Sequence, residues 1–123
     1  MIYGIGIDQI EVKRISRSIL NDKFLTKIFS EKEIQYCEKF KNKDEHFAAR
    51  FAAKEAFLKA FGTGLRNGFS MNEIEITNNK PGKPELRFYG KSLELVNSSE
   101  IMKFHVSLTH LKETVCAMVV LEK

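Results

Sequence analysis

A single alanine- and phenylalanine-rich run, residues 47–61, most constrains how this chain can fold, and the sequence Gly62-Thr63-Gly64 ends it. Plotted at about 100° per residue, the run places apolar side chains around almost the whole circumference of a helix. The large ones fall on one side and the small ones cover most of the other: Phe47, Phe51, Phe57, Leu58 and Phe61 against Ala48, Ala49, Ala52, Ala53, Ala56 and Ala60. A helix of this kind belongs inside a protein or at a subunit interface.

The same helix carries four charged residues, Arg50, Lys54, Glu55 and Lys59. Charged side chains in a buried element cost free energy unless they are paired or bound to something. Because the apolar pattern and the charges conflict, the sequence predicts that the functional site lies on this helix.

Length and composition bound the rest of the molecule. The chain has 123 residues, which predicts one domain over residues 1–123. No apolar run approaches the roughly 20 residues of a membrane span, and the first residues, which lack a basic flank, indicate a strand rather than a signal peptide. The net charge of +4 favours anionic partners. Cys37 and Cys116 lack metal or redox spacing, and two free thiols are typical of the reducing cytosol, so we expect a cytoplasmic protein.

Alternation and turn residues predict an α+β fold, with a mostly antiparallel sheet packed on the long central helix. The predicted strands are Ile2–Asp8, Ile74–Thr77, Leu86–Tyr89, Lys103–His110 and Thr114–Leu121. The predicted helices are Glu11–Leu20, a segment that follows a Ser30 capping box and runs to about Phe40, the central run, and Gly90–Ser98. We expect a polar break at residues 42–44, a flexible exit over 62–68 and a turn over 78–84.

Two carboxylates stand out, Asp8 at the predicted end of the first strand and Glu55 on the central helix. Each has a simple structural interpretation, because Asp8 could cap the following helix and Glu55 could pair with Lys59 at i,i+4 spacing. Glu55 lies between the phenylalanine and alanine sides of the helix, however, which argues against a fully solvated carboxylate. Mg²⁺ at phosphate-handling sites typically uses one or two carboxylates together with substrate phosphates and water.

Groups that could bind an anion accompany these carboxylates. They are Arg50, Lys54 and Lys59 on the helix, the Lys80-Pro81-Gly82-Lys83-Pro84 turn, and His105 and His110 on a predicted strand. Two carboxylates surrounded by basic groups would suit a magnesium-bound diphosphate substrate.

Four blocks of this sequence resemble the signatures of the holo-acyl-carrier-protein synthase family. They occur in the family's order and spacing from residue 4 to residue 110, and the central one is the most specific. The blocks are Ile5-Gly6-Ile7-Asp8 followed by Lys13-Arg14-Ile15, Arg50-Phe51-Ala52-Ala53-Lys54-Glu55-Ala56 with Lys59-Ala60-Phe61-Gly62-Thr63-Gly64, Gly82-Lys83-Pro84, and His105-Val106-Ser107-Leu108-Thr109-His110.

This resemblance implies a small, single-domain 4′-phosphopantetheinyl transferase fold and the activity of that enzyme class. Such enzymes move 4′-phosphopantetheine from coenzyme A to a serine of apo acyl carrier protein, in support of fatty acid biosynthesis, and release adenosine 3′,5′-bisphosphate. It also implies a homotrimer with active sites between subunits.

The resemblance further implies roles for individual residues. Asp8 and Glu55 would bind Mg²⁺ and act in catalysis with Lys59, while Glu55 or a metal-bound water would accept the serine proton. Coenzyme A would contact Arg50 and His105 at its 3′-phosphate, and Pro84 at the adenine. From the residues alone, the favoured alternative for His105 is a strand histidine that is satisfied by a local hydrogen bond. The backbone of Gly62 and Gly64 could approach the ligand closely, although a C-cap explains these glycines equally well. Lys54 is assigned to coenzyme A binding, with a structural ion pair as the open alternative.

Arg14 and Arg17 lie on a basic edge of the first predicted helix, just after Asp8. Such an edge is usually only a solvated face. Acyl carrier protein is strongly acidic, so we expect these two arginines to bind it and to govern association.

Three other functions compete with this interpretation. A small basic nucleic-acid-binding domain would fit the net charge, but the aromatic residues occupy core-like helical positions rather than an exposed stacking platform, so we expect no nucleic acid partner. A non-catalytic adaptor for acyl carrier protein would be marked by a missing Asp8, Glu55 or Lys59, and all three are present. A transferase for larger synthases is disfavoured by the short chain.

Overall fold

Five strands and five helices make up the fold, and the computed structural model describes all of residues 1–123. The strands are β1 (Ile2–Glu11), β2 (Ile74–Asn78), β3 (Pro84–Phe88), β4 (Lys103–His110) and β5 (Thr114–Glu122). The helices are α1 (Val12–Ser18), α2 (Asp22–Ile28), α3 (Glu31–Glu38), α4 (Lys43–Phe61) and α5 (Gly90–Asn97), with short 3-10 turns at Gly64–Asn67 and Met71–Glu73.

The strands form two antiparallel sheets, which confirms the predicted α+β class. The larger sheet has the order β1-β5-β4, and the smaller one is the β2-β3 hairpin. Along β1, Gly6 and Ile10 are buried whereas Ile5 and Ile7 are exposed, so one face of the sheet is covered and the other is open. The covered face packs on α4.

Helix α4 lies in the middle of the molecule, as its composition predicts. Its alanine side packs against β1, where Gly4 and Gly6 are so close that a Cβ at either position would overlap the carbonyl oxygen of Ala60 or Ala56. Its phenylalanine side enters the core beneath α3, the smaller sheet and the segment after α4; Phe57, for example, contacts the rings of Phe69 and Phe88. The alanine side is therefore used within the chain and not between subunits.

The bounds of α4 agree with the prediction at one end only. Gly62 ends the helix in the left-handed region, with φ of 100°, where glycine is favoured because it lacks a Cβ. The helix begins at Lys43 rather than Phe47, so the expected polar break at residues 42–44 is wrong. Asp44 and Glu45 in the first turn favour this longer helix because carboxylates stabilise a helix N-terminus.

The first strand also differs from expectation. It continues to Glu11, so Asp8 lies within the strand and not at its end. The residue at the N-cap of α1 is Glu11, and the alternative in which Asp8 caps this helix is therefore wrong. The predicted Ser30 capping box is confirmed, because the Ser30 hydroxyl accepts from the Glu33 amide and the Glu33 carboxylate accepts from the Ser30 amide.

Candidate active site

Strand β1 carries Asp8 on the sheet face that packs against α4. Asp8 shares this face with Gly4 and Gly6, because alternate residues of a strand point to the same side. The two glycines bring β1 to the backbone of α4, and the Asp8 side chain is only 16% exposed. Because these glycines have no side chains, β1 packs closely on α4, and the Asp8 carboxylate therefore lies beside this helix.

Glu55 lies on α4 and faces this carboxylate. Burial raises the pKa of Glu55 above its usual range, and the negative charge of Asp8 raises it further, while Lys59 and Arg14 oppose these effects. Asp8 and Glu55 together form a locally negative site, which a bound cation would stabilise.

Lys59 is the protein's own cation at this position. Its ammonium group donates to Asp8 Oδ1 at 3.0 Å and to the Ile7 carbonyl at 3.0 Å. The alternative in which Lys59 simply pairs with Glu55 along the helix is not what the structure shows, since Asp8 is its ion-pair partner. The Lys59 side chain is 55% exposed, so it can reach a ligand at little cost.

The donor set fits a magnesium ion. Asp8 and Glu55 supply carboxylate oxygens, which are the ligands that Mg²⁺ prefers. No group of three or more His, Cys, Asp or Glu residues is arranged to hold a metal ion. A pair of carboxylates beside an open cavity suits a cation that shares its remaining coordination positions with substrate phosphates and water.

A cavity of about 480 Å³ opens beside Glu55 and Lys59, and the segment after α4 lines its other side. Gly62 and Gly64 adopt positive φ, and a Cβ at either would meet nothing within 4 Å. Between them, the buried Thr63 hydroxyl has no hydrogen-bond partner. Exposed backbone and an unused hydroxyl make this segment suitable for close approach by a ligand.

The side chain of Lys54 lies in a different environment from that of its neighbour Glu55. Its side chain is fully buried, and its ammonium group donates to Glu33 Oε1 at 2.6 Å and to the Met71 carbonyl at 2.8 Å. Burial lowers the pKa of Lys54, and the charge of Glu33 opposes that effect. The structure therefore does not bring Lys54 to the cavity, and its geometry favours the alternative of a structural ion pair.

Arg50 is buried one turn before Lys54, with only 3% of its surface exposed. Its Nη2 donates to Asn78 Oδ1 at 2.6 Å, and its guanidinium carbon lies 4.2 Å from the centre of the Tyr36 ring. Arg50 and His105 are not joined by any contact within the chain.

His105 and Pro84 line a second cavity, of about 610 Å³, between the β2-β3 turn and the larger sheet. The His105 side chain is half exposed, and its Nε2 lies 2.6 Å from Glu122 Oε1. The outward side chains Met118 and Val120 form part of the same cavity, which therefore opens onto the uncovered face of the sheet.

Arg14 and Arg17 lie exposed on α1, which begins directly after β1. Arg14 is near enough to Glu55 that its charge lowers the carboxyl pKa, against the larger effects of burial and Asp8. The structure thus places at least one predicted docking arginine at the rim of the carboxylate site.

Sequence reasoning missed several residues that complete these clusters. Glu33 was recognised only as part of a capping box, although its other contacts join Lys54 and the Ile76 amide. Asn78 and Tyr36 contact Arg50, but the sequence predicts for them only a turn and a helix. Their partners lie 14 to 43 positions away along the chain, and no local pattern reports such pairings.

Comparison with known families agrees with this fold. A sequence model of the 4′-phosphopantetheinyl transferase superfamily matches residues 4–118. The chain belongs to this superfamily.

Within this superfamily, the chain is similar to several individual holo-[acyl-carrier-protein] synthases. The chain is 46% identical to a holo-[acyl-carrier-protein] synthase of Geotalea daltonii over the whole of both chains, and 45% identical to one of Clostridium tetani over 99% of this chain and 97% of that one. Its structure resembles the crystal structure of the holo-[acyl-carrier-protein] synthase of Neisseria meningitidis, with a TM-score of 0.87, 41% identity and full coverage of both chains. It also resembles the enzyme of Bacillus anthracis solved in complex with CoA (3′,5′-ADP), with a TM-score of 0.81, 41% identity and coverage of 98% and 96%.

Proposed function

We propose that this protein transfers 4′-phosphopantetheine from coenzyme A to a serine hydroxyl of apo acyl carrier protein and releases adenosine 3′,5′-bisphosphate. The observation that carries the proposal is the carboxylate pair Asp8 and Glu55, which faces Lys59 at the mouth of a cavity in a fold shared with holo-[acyl-carrier-protein] synthases. In this reaction the serine hydroxyl gives its proton to Glu55 or to a water at the site, and the serine oxygen forms a bond to the β-phosphorus of coenzyme A. The bond from that phosphorus to the bridging oxygen breaks, and the bisphosphate leaves with this oxygen.

Asp8 and Glu55 are the residues that would hold Mg²⁺. The ion, when bound, would supply positive charge next to the diphosphate and the leaving oxygen. The two residues are suited to this task because they come from different elements, a strand and a helix, that are fixed against each other by the Gly4 and Gly6 contacts. Positioning of this kind contributes most of the catalytic effect in phosphoryl transfer.

Lys59 would neutralise charge on the transferring phosphoryl group. Its ammonium group stands beside Asp8 and its side chain is largely exposed, so it can turn toward a phosphate while remaining at the carboxylate site. The neighbouring backbone at Gly62 and Gly64 would line the path of the diphosphate and the pantetheine arm, with the free Thr63 hydroxyl available as a hydrogen-bonding group.

The rest of coenzyme A would use the predicted nucleotide-binding residues. Pro84 and His105 line the larger cavity, and the Arg50 guanidinium is hydrogen-bonded to Asn78, which pairs with Pro84 in the β2-β3 hairpin. Lys54 is best assigned to the structure rather than to coenzyme A, because its ammonium group is fully enclosed with Glu33.

A homotrimer with active sites between subunits is part of this proposal. Ile5, Ile7 and Met118 are 55%, 59% and 43% exposed on the open face of the larger sheet, and Ile7 lies directly opposite Met118 in the β1-β5 pairing. An apolar patch of this kind favours an interface. Because Met118 also lines the His105 cavity, a second copy on this face would close the nucleotide site.

The exposed arginines of α1 would receive the acidic carrier protein. Arg14 lies close enough to Glu55 to influence its carboxyl group, and Arg17 is exposed on the same helix, so a carrier held there would present its serine near the diphosphate. None of the helices combines the length and the hydrophobicity that a membrane-spanning segment needs. The free thiols of Cys37 and Cys116 support a location in the reducing cytoplasm.

The reaction can be tested by intact-mass spectrometry of apo acyl carrier protein incubated with this protein, coenzyme A and Mg²⁺. We expect the carrier to gain one phosphopantetheine and to gain nothing when EDTA is added or when Glu55→Gln replaces the wild type. A carrier that a known transferase modifies but this folded protein does not would overturn the proposed activity and favour a binding role.

A further inference from the structure

The Arg50 guanidinium is a buried charge without a carboxylate partner. It is 3% exposed, and none of the ion pairs within 4.0 Å includes it. Its Nε is buried and has no hydrogen-bond partner at all. Burying a charge in this way is costly, and the cost is offset when an anion supplies the missing partner. The residue is therefore prepared for an anion that the chain itself does not provide.

Tyr36 fixes one face of this guanidinium. The centre of its ring is 4.2 Å from Arg50 Cζ, a distance at which the cation and the aromatic face attract each other. The ring is held in turn by Phe40 and His46, whose ring centres lie 5.1 Å and 6.0 Å away. Arg50 therefore meets the ring of Tyr36 and not its hydroxyl.

Asn78 fixes one edge of the same group. Its Oδ1 accepts from Arg50 Nη2 at 2.6 Å, while its Nδ2 donates to the Gly82 carbonyl at 2.9 Å. Asn78 is also opposite Pro84 in the β2-β3 pairing, and Pro84 lines the larger cavity. A single amide thus connects Arg50 to the turn that carries the nucleotide-binding residues.

We propose that Tyr36 and Asn78 are positioning residues that hold the Arg50 guanidinium for the 3′-phosphate of coenzyme A. The inference rests on the proposed function. The ring fixes the plane of the guanidinium and the amide fixes its rotation within that plane, so that the remaining N–H groups can meet phosphate oxygens without first being ordered. Neither residue touches the substrate in this arrangement, and both act through Arg50.

Calorimetric titration of the full chain with coenzyme A and with 3′-dephospho-coenzyme A tests this inference directly. The measured quantity is the ratio of the two dissociation constants. We expect the wild type to prefer coenzyme A by about tenfold or more, because charge-assisted hydrogen bonds to the 3′-phosphate are absent from the other ligand. Tyr36→Leu and Asn78→Ala should each reduce that ratio by about threefold to tenfold while affinity for 3′-dephospho-coenzyme A stays within about twofold.

Two further variants separate positioning from stability. Tyr36→Phe keeps the ring and should restore the preference lost in Tyr36→Leu. Asn78→Asp supplies a carboxylate to Arg50 and should weaken coenzyme A binding more than Asn78→Ala does, because the new charge competes with the phosphate. Asn78 is exposed, so its variants are expected to fold, and thermal unfolding provides the check.

An unchanged ratio in both variants, an equal loss of affinity for both ligands, or a wild type that does not prefer coenzyme A would each overturn the inference. None of these binding results depends on transfer to the carrier. The intact-mass assay judges the proposed activity separately, so the two failures can be told apart.

Discussion

Lys54 and Glu55 are consecutive residues of one helix, yet they belong to polar clusters of opposite character. Lys54 is completely buried, and Glu33 and the Met71 carbonyl satisfy its ammonium group. Glu55 is half-buried beside Asp8, where burial and like charge raise its pKa. The first cluster is complete within the chain, whereas the second has negative charge that its own residues only partly balance.

This difference distinguishes charges that the chain itself compensates from charges that a ligand could compensate. In the complete cluster, Glu33 also accepts from the Ser30 and Ile76 amides, so it joins α3, α4 and β2. The incomplete cluster lies at the edge of a cavity, and its negative charge is balanced only by the exposed side chains of Lys59 and Arg14. Buried polar groups without full compensation are unusual in proteins, and they concentrate where a ligand supplies the rest.

The largest effect should come from removing one charge of the incomplete cluster. Glu55→Gln or Asp8→Ala should reduce transfer by more than about a hundredfold, because the cation loses one of its two protein ligands. The initial rate of carrier modification at saturating Mg²⁺ is the measurement, with thermal unfolding as the control for folding. Turnover near that of the wild type in either variant would contradict the assignment of the metal site.

Breaking the complete cluster should affect stability instead. Lys54→Met leaves Glu33 buried without its cation, at a cost of about 3–5 kcal/mol in the free energy of unfolding. The unfolding temperature should fall by roughly 10–20 °C. The double variant Glu33→Gln/Lys54→Met should regain part of this loss, since neither charge is then buried alone. A variant with unchanged stability but a strongly raised KM for coenzyme A would instead place Lys54 in the binding site.

A charge reversal at Arg14, beside the carboxylate site, should have an intermediate effect on the reaction with the carrier. Arg14→Glu should raise the KM for the carrier by about tenfold, and the difference from the wild type should shrink as salt is added, because exposed charges are screened. Lys123→Glu offers a control that changes net charge equally at a lysine whose only acidic partner is Glu100. Equal effects of the two reversals would reject a local docking surface on α1.

The smallest expected effect is an increase in the stability of the protein when the Glu55 carboxylate is replaced. The folded-state pKa of Glu55 is raised, so ionisation of this carboxyl disfavours the folded protein above that pKa and has no such effect below about 4.5, where it is protonated in both states. Without Mg²⁺, Glu55→Gln should therefore raise the unfolding temperature by about 1–2 °C at neutral pH and by less as the pH falls toward 4.5. A loss of stability at neutral pH would mean that Lys59 and Arg14 already compensate the charge of Glu55.

Local patterns in the sequence account for much of the fold. The alanine and phenylalanine periodicity predicts the buried helix, and Gly62 correctly marks its end. The start of that helix is wrong because residues 42–44 are polar, as both loops and first turns are. The seven-residue helix α2 was missed, since a segment of that length has little periodicity beyond the cap at Asn21.

The candidate site is predicted less evenly. Asp8 and Glu55 were named because their types and their surroundings are unusual, but their proximity depends on two glycines whose effect no local pattern reports. The sequence leaves Lys54 with two interpretations, a phosphate contact and a structural ion pair. A helical wheel does not show that Lys54 pairs with Glu33, 21 positions earlier. Arg50 and His105 were expected at one phosphate, and within a single chain they remain apart.

The contact between β1 and α4 also has a consequence for how this enzyme class can diverge. Gly4 and Gly6 have no smaller substitute, and the next residue in size, alanine, would already overlap a helix carbonyl. The spacing between strand and helix therefore cannot drift by small increments. Adaptation to a new carrier is expected at the cavity rim, where Arg14 is exposed and gradual change remains possible.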